Sequence, residues 1–216
     1  MSKHFNTAGP CKADIHYMLP PTARLPELRS LINQQNYFVI HAPRQVSKTT
    51  AMLALAQELT ASGEYTAVML SLEVGAPFSS DLDSAEQAIL SEWKQSIRFR
   101  LPPNLQPTYW PGMETRSKLN VFLSAWAATS ERPLVVFLDE IDALSDQSLI
   151  GVLRQLRSGY PNRPQGFPYS LGLIGMRDVR DYKVKAGGIK LLRSEDTEIS
   201  EESINELSEA GLNSLY

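Results

Sequence analysis

Five consecutive apolar residues, Leu134-Val135-Val136-Phe137-Leu138, constrain the fold more than any other feature of the chain. Successive side chains of a strand point to opposite faces, so a run without a polar position must be covered on both. Such a strand belongs at the centre of a parallel sheet. Shorter apolar stretches lie within 37–40, 66–70 and 170–174. Between them lie segments with helical spacing at 27–33, 49–61, 84–98, 116–129 and 147–157. The segment 49–61 is filled with strong helix formers and closed by Gly63, and 116–129 places Leu119, Phe122, Leu123 and Trp126 on one face. Strands alternating with helices at these connection lengths predict an α/β fold with helices on both faces of the sheet.

Three regions are expected. Residues 1–26, with the steps Leu19-Pro20-Pro21 and Leu25-Pro26, read as an irregular N-terminal arm. Residues 27–188 form the α/β core, in which 101–112 is a proline-rich connector that cannot be regular and 159–168 is a Gly/Pro loop. Residues 189–216 are a Ser/Glu-rich acidic tail in which Ile199, Ile204, Leu207 and Leu212 allow at best one marginal helix. With 43% hydrophobic and 21% charged residues, global disorder is excluded.

A net charge of −3 argues against a protein that coats nucleic acid, and direct nucleic-acid binding is not predicted. No apolar run approaches the roughly 18–20 residues that span a bilayer, and the first residues lack the apolar core of a secretory signal. A protein without membrane attachment, in the cytoplasm, is therefore expected. Cys11 is the single cysteine, and His4, His16 and His41 have no metal-site spacing.

The chemistry concentrates at two places. After the first strand comes Ala42-Pro43-Arg44-Gln45-Val46-Ser47-Lys48-Thr49-Thr50, to be compared with the phosphate-binding pattern G-x-x-x-x-G-K-[ST]. In such a loop backbone N–H groups surround a β-phosphate, the lysine reaches the β/γ oxygens, and the hydroxyl holds Mg2+. Lys48 and Thr49 stand where the pattern requires them, opening a helix directly after a strand. Both glycines are replaced, by Ala42 and Ser47, and a non-glycine residue at positive φ before the lysine costs about 1–2 kcal/mol. The second place is Asp139-Glu140 at the end of the run 134–138. An acid at a strand tip can hold Mg2+ through water, and a second can orient and activate an attacking water. Alternatively, Asp139 caps the next helix and Glu140 is solvated.

At the end of the fourth strand stands Gly175-Met176-Arg177-Asp178, on the ligand side of an open parallel sheet. Arg177 there either senses a γ-phosphate or forms a structural pair with Asp178. Arg154 and Arg157 are candidates for reaching a neighbour's nucleotide, or belong to a solvated helix face.

Together these residues resemble the prokaryotic AAA-like ATPases, a branch of the P-loop NTPases with an additional catalytic glutamate. The resemblance rests on YFVIHAPRQVSKTT, LVVFLDEID, GMRDVRDY and the arm FNTAGPCKADIHYMLPP, and it extends over residues 5–188. It implies a three-layer αβα sandwich with a mainly parallel sheet ordered 5-1-4-3-2, ATP and Mg2+ as ligands, and hydrolysis that drives a conformational change. Carried over by position, Pro43, Arg44, Gln45, Val46, Ser47, Lys48, Thr49 and Thr50 would surround the phosphates. Thr49 and Asp139 would hold Mg2+, Glu140 would activate water, and Arg177 would lie in the sensor region. Two departures stand out: Ser47 occupies a position where relatives carry glycine, and the fifth strand and helical lid are expected to be missing, as in a truncated member. A homo-oligomer or a protein partner fits the family. The competing readings are, from a different class, a degenerate nucleotide-binding or interaction module without turnover and, third, a small-molecule P-loop kinase.

Overall fold

A computed structural model describes residues 26–41 and 48–175. Four strands, β1 (Tyr37–His41), β2 (Thr66–Ser71), β3 (Leu134–Asp139) and β4 (Ser170–Gly175), form one sheet. All pairings are parallel and the order is β1-β4-β3-β2. This is an α/β sheet of the expected class, and its order is compatible with the last four positions of 5-1-4-3-2. The region after β4, where a fifth strand is expected to be missing, falls outside the described residues, as do residues 1–25 of the arm and the acidic tail; Pro26, assigned to the arm, opens α1.

The helices are α1 (Pro26–Asn33), α2 (Lys48–Ala61), α3 (Leu82–Arg100), α4 (Lys118–Thr129) and α5 (Asp146–Gly159). The alternation of β3 decides how they are shared between the faces. Val135 and Phe137 pack with Ile32 of α1 and with Met52 and Leu59 of α2. Leu134, Val136 and Leu138 face a larger core with Trp93, Phe122 and Val152 from α3, α4 and α5. Each of these five β3 residues is 1% exposed or less, as a strand covered on both sides requires.

Several boundaries differ from the sequence expectation for local reasons. Helix α3 begins two residues earlier than expected, because the Asp81 carboxylate caps it, accepting from the Ser84 N–H at 3.1 Å and the Ser84 hydroxyl at 2.7 Å. Helix α4 begins two residues later, since Ser117 adopts φ 54°, a left-handed conformation that cannot continue a helix. Its first turn is capped from α3, where the buried Glu86 carboxylate accepts the Leu119 N–H at 3.1 Å. Asp83 pairs with the buried Lys118. Two acids in the first turns of α3 thus fix the start of α4, and Glu86 places negative charge at the α4 N-terminus.

The connector expected to be wholly irregular contains a 3-10 turn, Pro103–Leu105, with proline in its first position. It is tied down from the core, where the Trp126 indole N–H donates to the Leu105 carbonyl at 3.2 Å. A second turn of 3-10 helix, Glu73–Phe78, follows β2 and packs against α3. Among the described residues no helix is long and apolar enough to cross a membrane.

Candidate functional site

The C-terminal ends of parallel strands form the ligand side of an open α/β sheet. β2 and β3 end level with each other, Ser71 being in register with Asp139. Helix α2 begins at Lys48 over the same edge. The sequence places Thr49 and Asp139 ninety positions apart, and the fold brings them into contact. The Thr49 hydroxyl donates to Asp139 Oδ2 at 3.0 Å. The other oxygen, Oδ1, accepts the Glu140 N–H at 3.0 Å.

That second bond accompanies an unusual backbone. Glu140 sits at φ 59°, ψ 41°, left-handed for a residue with a full side chain, at a cost of about 1–2 kcal/mol. Strain of this kind persists where the surroundings over-determine it, and it turns the chain sharply at the strand tip. The Glu140 carboxylate is met by β2, with the Ser71 hydroxyl donating to Oε2 at 3.3 Å. Ser71 Oγ in turn accepts the Glu73 N–H at 3.1 Å. One hydroxyl therefore links the backbone of Glu73 to the carboxylate of Glu140.

Electrostatics separate the three charged groups. Burial pushes the Asp139 carboxyl above its ordinary range, against the opposing pull of its bonds to Thr49 and the Glu140 N–H and of the Lys48 charge. Partial burial raises Glu140 as well, reinforced by a hydrogen bond and like charge from the Glu73 carboxyl. Burial lowers the Lys48 ammonium, and the charges of Asp139 and Asp142 work against that shift. Asp139 and Glu140 are thus acids whose charge is short of compensation, at a strand tip beside a hydroxyl. A divalent cation held between Thr49 and Asp139, with further oxygens from a phosphate, would relieve that deficit, and the donor set suits Mg2+.

The cost of holding Asp139 ionised gives a stability prediction. A carboxyl whose folded pKa is raised contributes stability below the unfolded value near 3.9, and this is lost as pH rises through the folded value. At pH 7 without nucleotide or Mg2+, Asp139→Asn is therefore expected to raise the melting temperature by about 2–6 °C. The gap should narrow as the pH falls and Asp139 takes up its proton. Thermal melts of both proteins across that range check this, and an equal or lower melting temperature for the variant at pH 7 refutes it.

Of the residues singled out in the sequence, Lys48, Thr49, Asp139 and Glu140 assemble at one edge, and Thr50 lies in the first turn of α2 beside them. Asp139 does not cap the following helical turn, which has no side-chain cap, and its oxygens serve Thr49 and the Glu140 N–H; Glu140 is exposed, as the alternative reading expected. Pro43, Arg44, Gln45, Val46, Ser47 and Arg177 lie outside the described residues. Arg154 and Arg157 are exposed on α5; Ser71 and Glu73 are additions from the structure. The available signal was the polar pair Ser71 and Glu73 directly after the second apolar run, at the same sheet end as Asp139-Glu140. The sequence matches no family model, and no curated protein matches it.

Proposed function

We propose that this chain is an ATP-binding protein of the AAA-like type that hydrolyses ATP with Mg2+ and uses the cycle to change conformation. The observation that carries this reading is the 3.0 Å contact between the Thr49 hydroxyl and Asp139, with Glu140 adjacent on the same strand tip. A helix-opening Lys-Thr pair and a strand-end Asp-Glu pair are each common; their convergence at the ligand edge of a parallel sheet is what the proposed chemistry needs.

Bound Mg2+ would supply charge neutralisation at the transferred phosphate. The residues of the chain do the rest. Thr49 and Asp139 present hydroxyl and carboxylate oxygens to the ion. Lys48, half-buried at the start of α2, offers a cation to the β/γ oxygens, and the α2 N-terminus adds the positive end of its dipole. Glu140 accepts the proton of the attacking water. Its position is set by three restraints: the left-handed backbone, the Asp139 contact to its N–H, and the Ser71 hydroxyl.

Calorimetric titration of the purified chain with ATP–Mg2+ tests the binding half of the proposal. Saturable binding is expected, reduced at least about a hundredfold by Lys48→Ala, because the ammonium is a direct phosphate contact and a charge-assisted bond of that kind contributes about 3 kcal/mol. Absence of binding by the unaltered chain would favour the degenerate interaction module, for which Ser47 in the glycine position is the sequence argument.

A further inference from the structure

The outer face of α3 and the connector after it carries charge and exposed apolar surface that the nucleotide reading does not use. Lys94 and Arg98 stand one helical turn apart on α3, both exposed, with Arg100 at its end. Lys94 Nζ lies 5.6 Å from the centre of the Trp110 ring, which stacks on the buried Phe122 at 4.5 Å. In the same stretch of sequence the chain exposes Phe99 (91%), Met113 (74%) and Tyr109 (45%). Between residues 94 and 116 there are four basic side chains, Lys94, Arg98, Arg100 and Arg116, against one acid, Glu114. Cations near a helix C-terminus complement its dipole, which accounts for Arg98 and Arg100 but not for the exposed aromatic and methionine side chains beside them.

The sequence contains a segment of opposite character. Residues 194–216 carry seven carboxylates, Glu195, Asp196, Glu198, Glu201, Glu202, Glu206 and Glu209, and no lysine or arginine. The other 193 residues therefore hold all 21 basic side chains against 17 acidic ones, so a net charge of −3 conceals a body of +4 and a segment of −7. Among these acids lie Ile199, Ile204, Leu207, Leu212 and Leu215. Length permits contact: 18 residues lie between Gly175, the end of β4, and Ser194, up to about 60 Å of extended chain, whereas the 19-residue α3 is about 28 Å long.

We propose that the acidic segment 194–216 docks in cis on this face. Its carboxylates lie against Lys94 and Arg98, and its isoleucine and leucine side chains lie against Tyr109, Trp110 and Met113. Association within one chain has the advantage of a tether, which sets a local concentration on the order of millimolar and makes a weak, largely electrostatic contact sufficient. The same surfaces on separate chains would need far higher protein concentration.

Carbodiimide coupling of the full chain, which joins an amine to a carboxylate in direct contact, tests this by peptide mass spectrometry. Cross-links from Lys94 to acids between 195 and 209 are expected. They should fall at least about fivefold in 0.5 M NaCl, where screening shortens the Debye length to below about 5 Å. They should fall similarly in Arg98→Glu, which leaves the Lys94 amine in place and changes an exposed residue. A mixture of isotopically heavy and light protein distinguishes links within a chain from links between chains. Absence of Lys94 links to the segment overturns the proposal, as do links found between heavy and light chains, which assign the face to a second copy. Links unchanged by both salt and Arg98→Glu overturn it as well.

Discussion

Replacing Glu140 by glutamine is expected to cut ATP turnover by about 10²–10⁴-fold while leaving ATP–Mg2+ affinity within about threefold. The separation of the two effects follows from the geometry. Glutamine keeps the length and shape of the side chain, can accept the Ser71 hydroxyl through its carbonyl oxygen, and places no new demand on the left-handed backbone. Asp139, Thr49 and Lys48 are untouched, so the groups proposed to hold the phosphates and Mg2+ remain. Only the capacity to take a proton from water is lost. Glu140 must be ionised to act, and burial together with Glu73 raises its pKa above the ordinary glutamate range. Turnover by the unaltered chain should therefore rise with pH through a carboxylate ionisation above about 4.5, and the residual rate of the glutamine variant should lack that limb. Steady-state assays beside calorimetric titrations check both. A variant that turns over ATP at an unchanged rate removes Glu140 from the chemistry, and one that loses binding as well assigns it to ligand contact.

The sheet was legible in the sequence because its strands are apolar on both faces. Each of the four runs became a strand, and the longest, 134–138, occupies an interior position between β2 and β4. Thr49 and Asp139 were legible for a related reason: each stands at a fixed offset from a strand end, so the period of the strand determines which edge it reaches. What was not legible depends on contacts between distant elements. Nothing near Ser117 announces that α4 is capped by Glu86, thirty-three residues earlier on α3, because the cap forms only once the two helices lie side by side. Likewise Ser71 and Glu73 gain a role only when β2 pairs with β3 in the register that sets Ser71 level with Asp139. The short 3-10 turn Glu73–Phe78 escaped because its sequence, with Gly75 and Pro77, carries breakers and no helical period.

The residue at which a local reading and the packed structure differ most is Gly159, and it carries the second large prediction. As a glycine following 147–157 it reads as the start of a loop, where glycine commonly supplies a left-handed turn. In the structure it is the last residue of α5, at φ −77°, a conformation open to any residue. Glycine is required there for space. A Cβ at this position would lie 2.2–2.4 Å from three atoms of the Phe167 ring, which is fully buried in the larger core. The ring cannot swing into solvent without opening a cavity among its neighbours, so α5 and the segment entering β4 must separate. Gly159→Val adds two further methyl groups at the same spot and is expected to destabilise the fold by about 3 kcal/mol or more. For a chain of this length that corresponds to a fall in melting temperature of about 6–12 °C. Phe167→Leu, which shortens the facing side chain, should recover part of that loss in the double variant although it destabilises the chain when introduced alone, because the two positions share one volume. Thermal melts of the two single variants and the double variant measure this coupling. Strictly additive losses would mean that the ring is not the obstacle and that the close approach of α5 to Phe167 does not limit the size of residue 159.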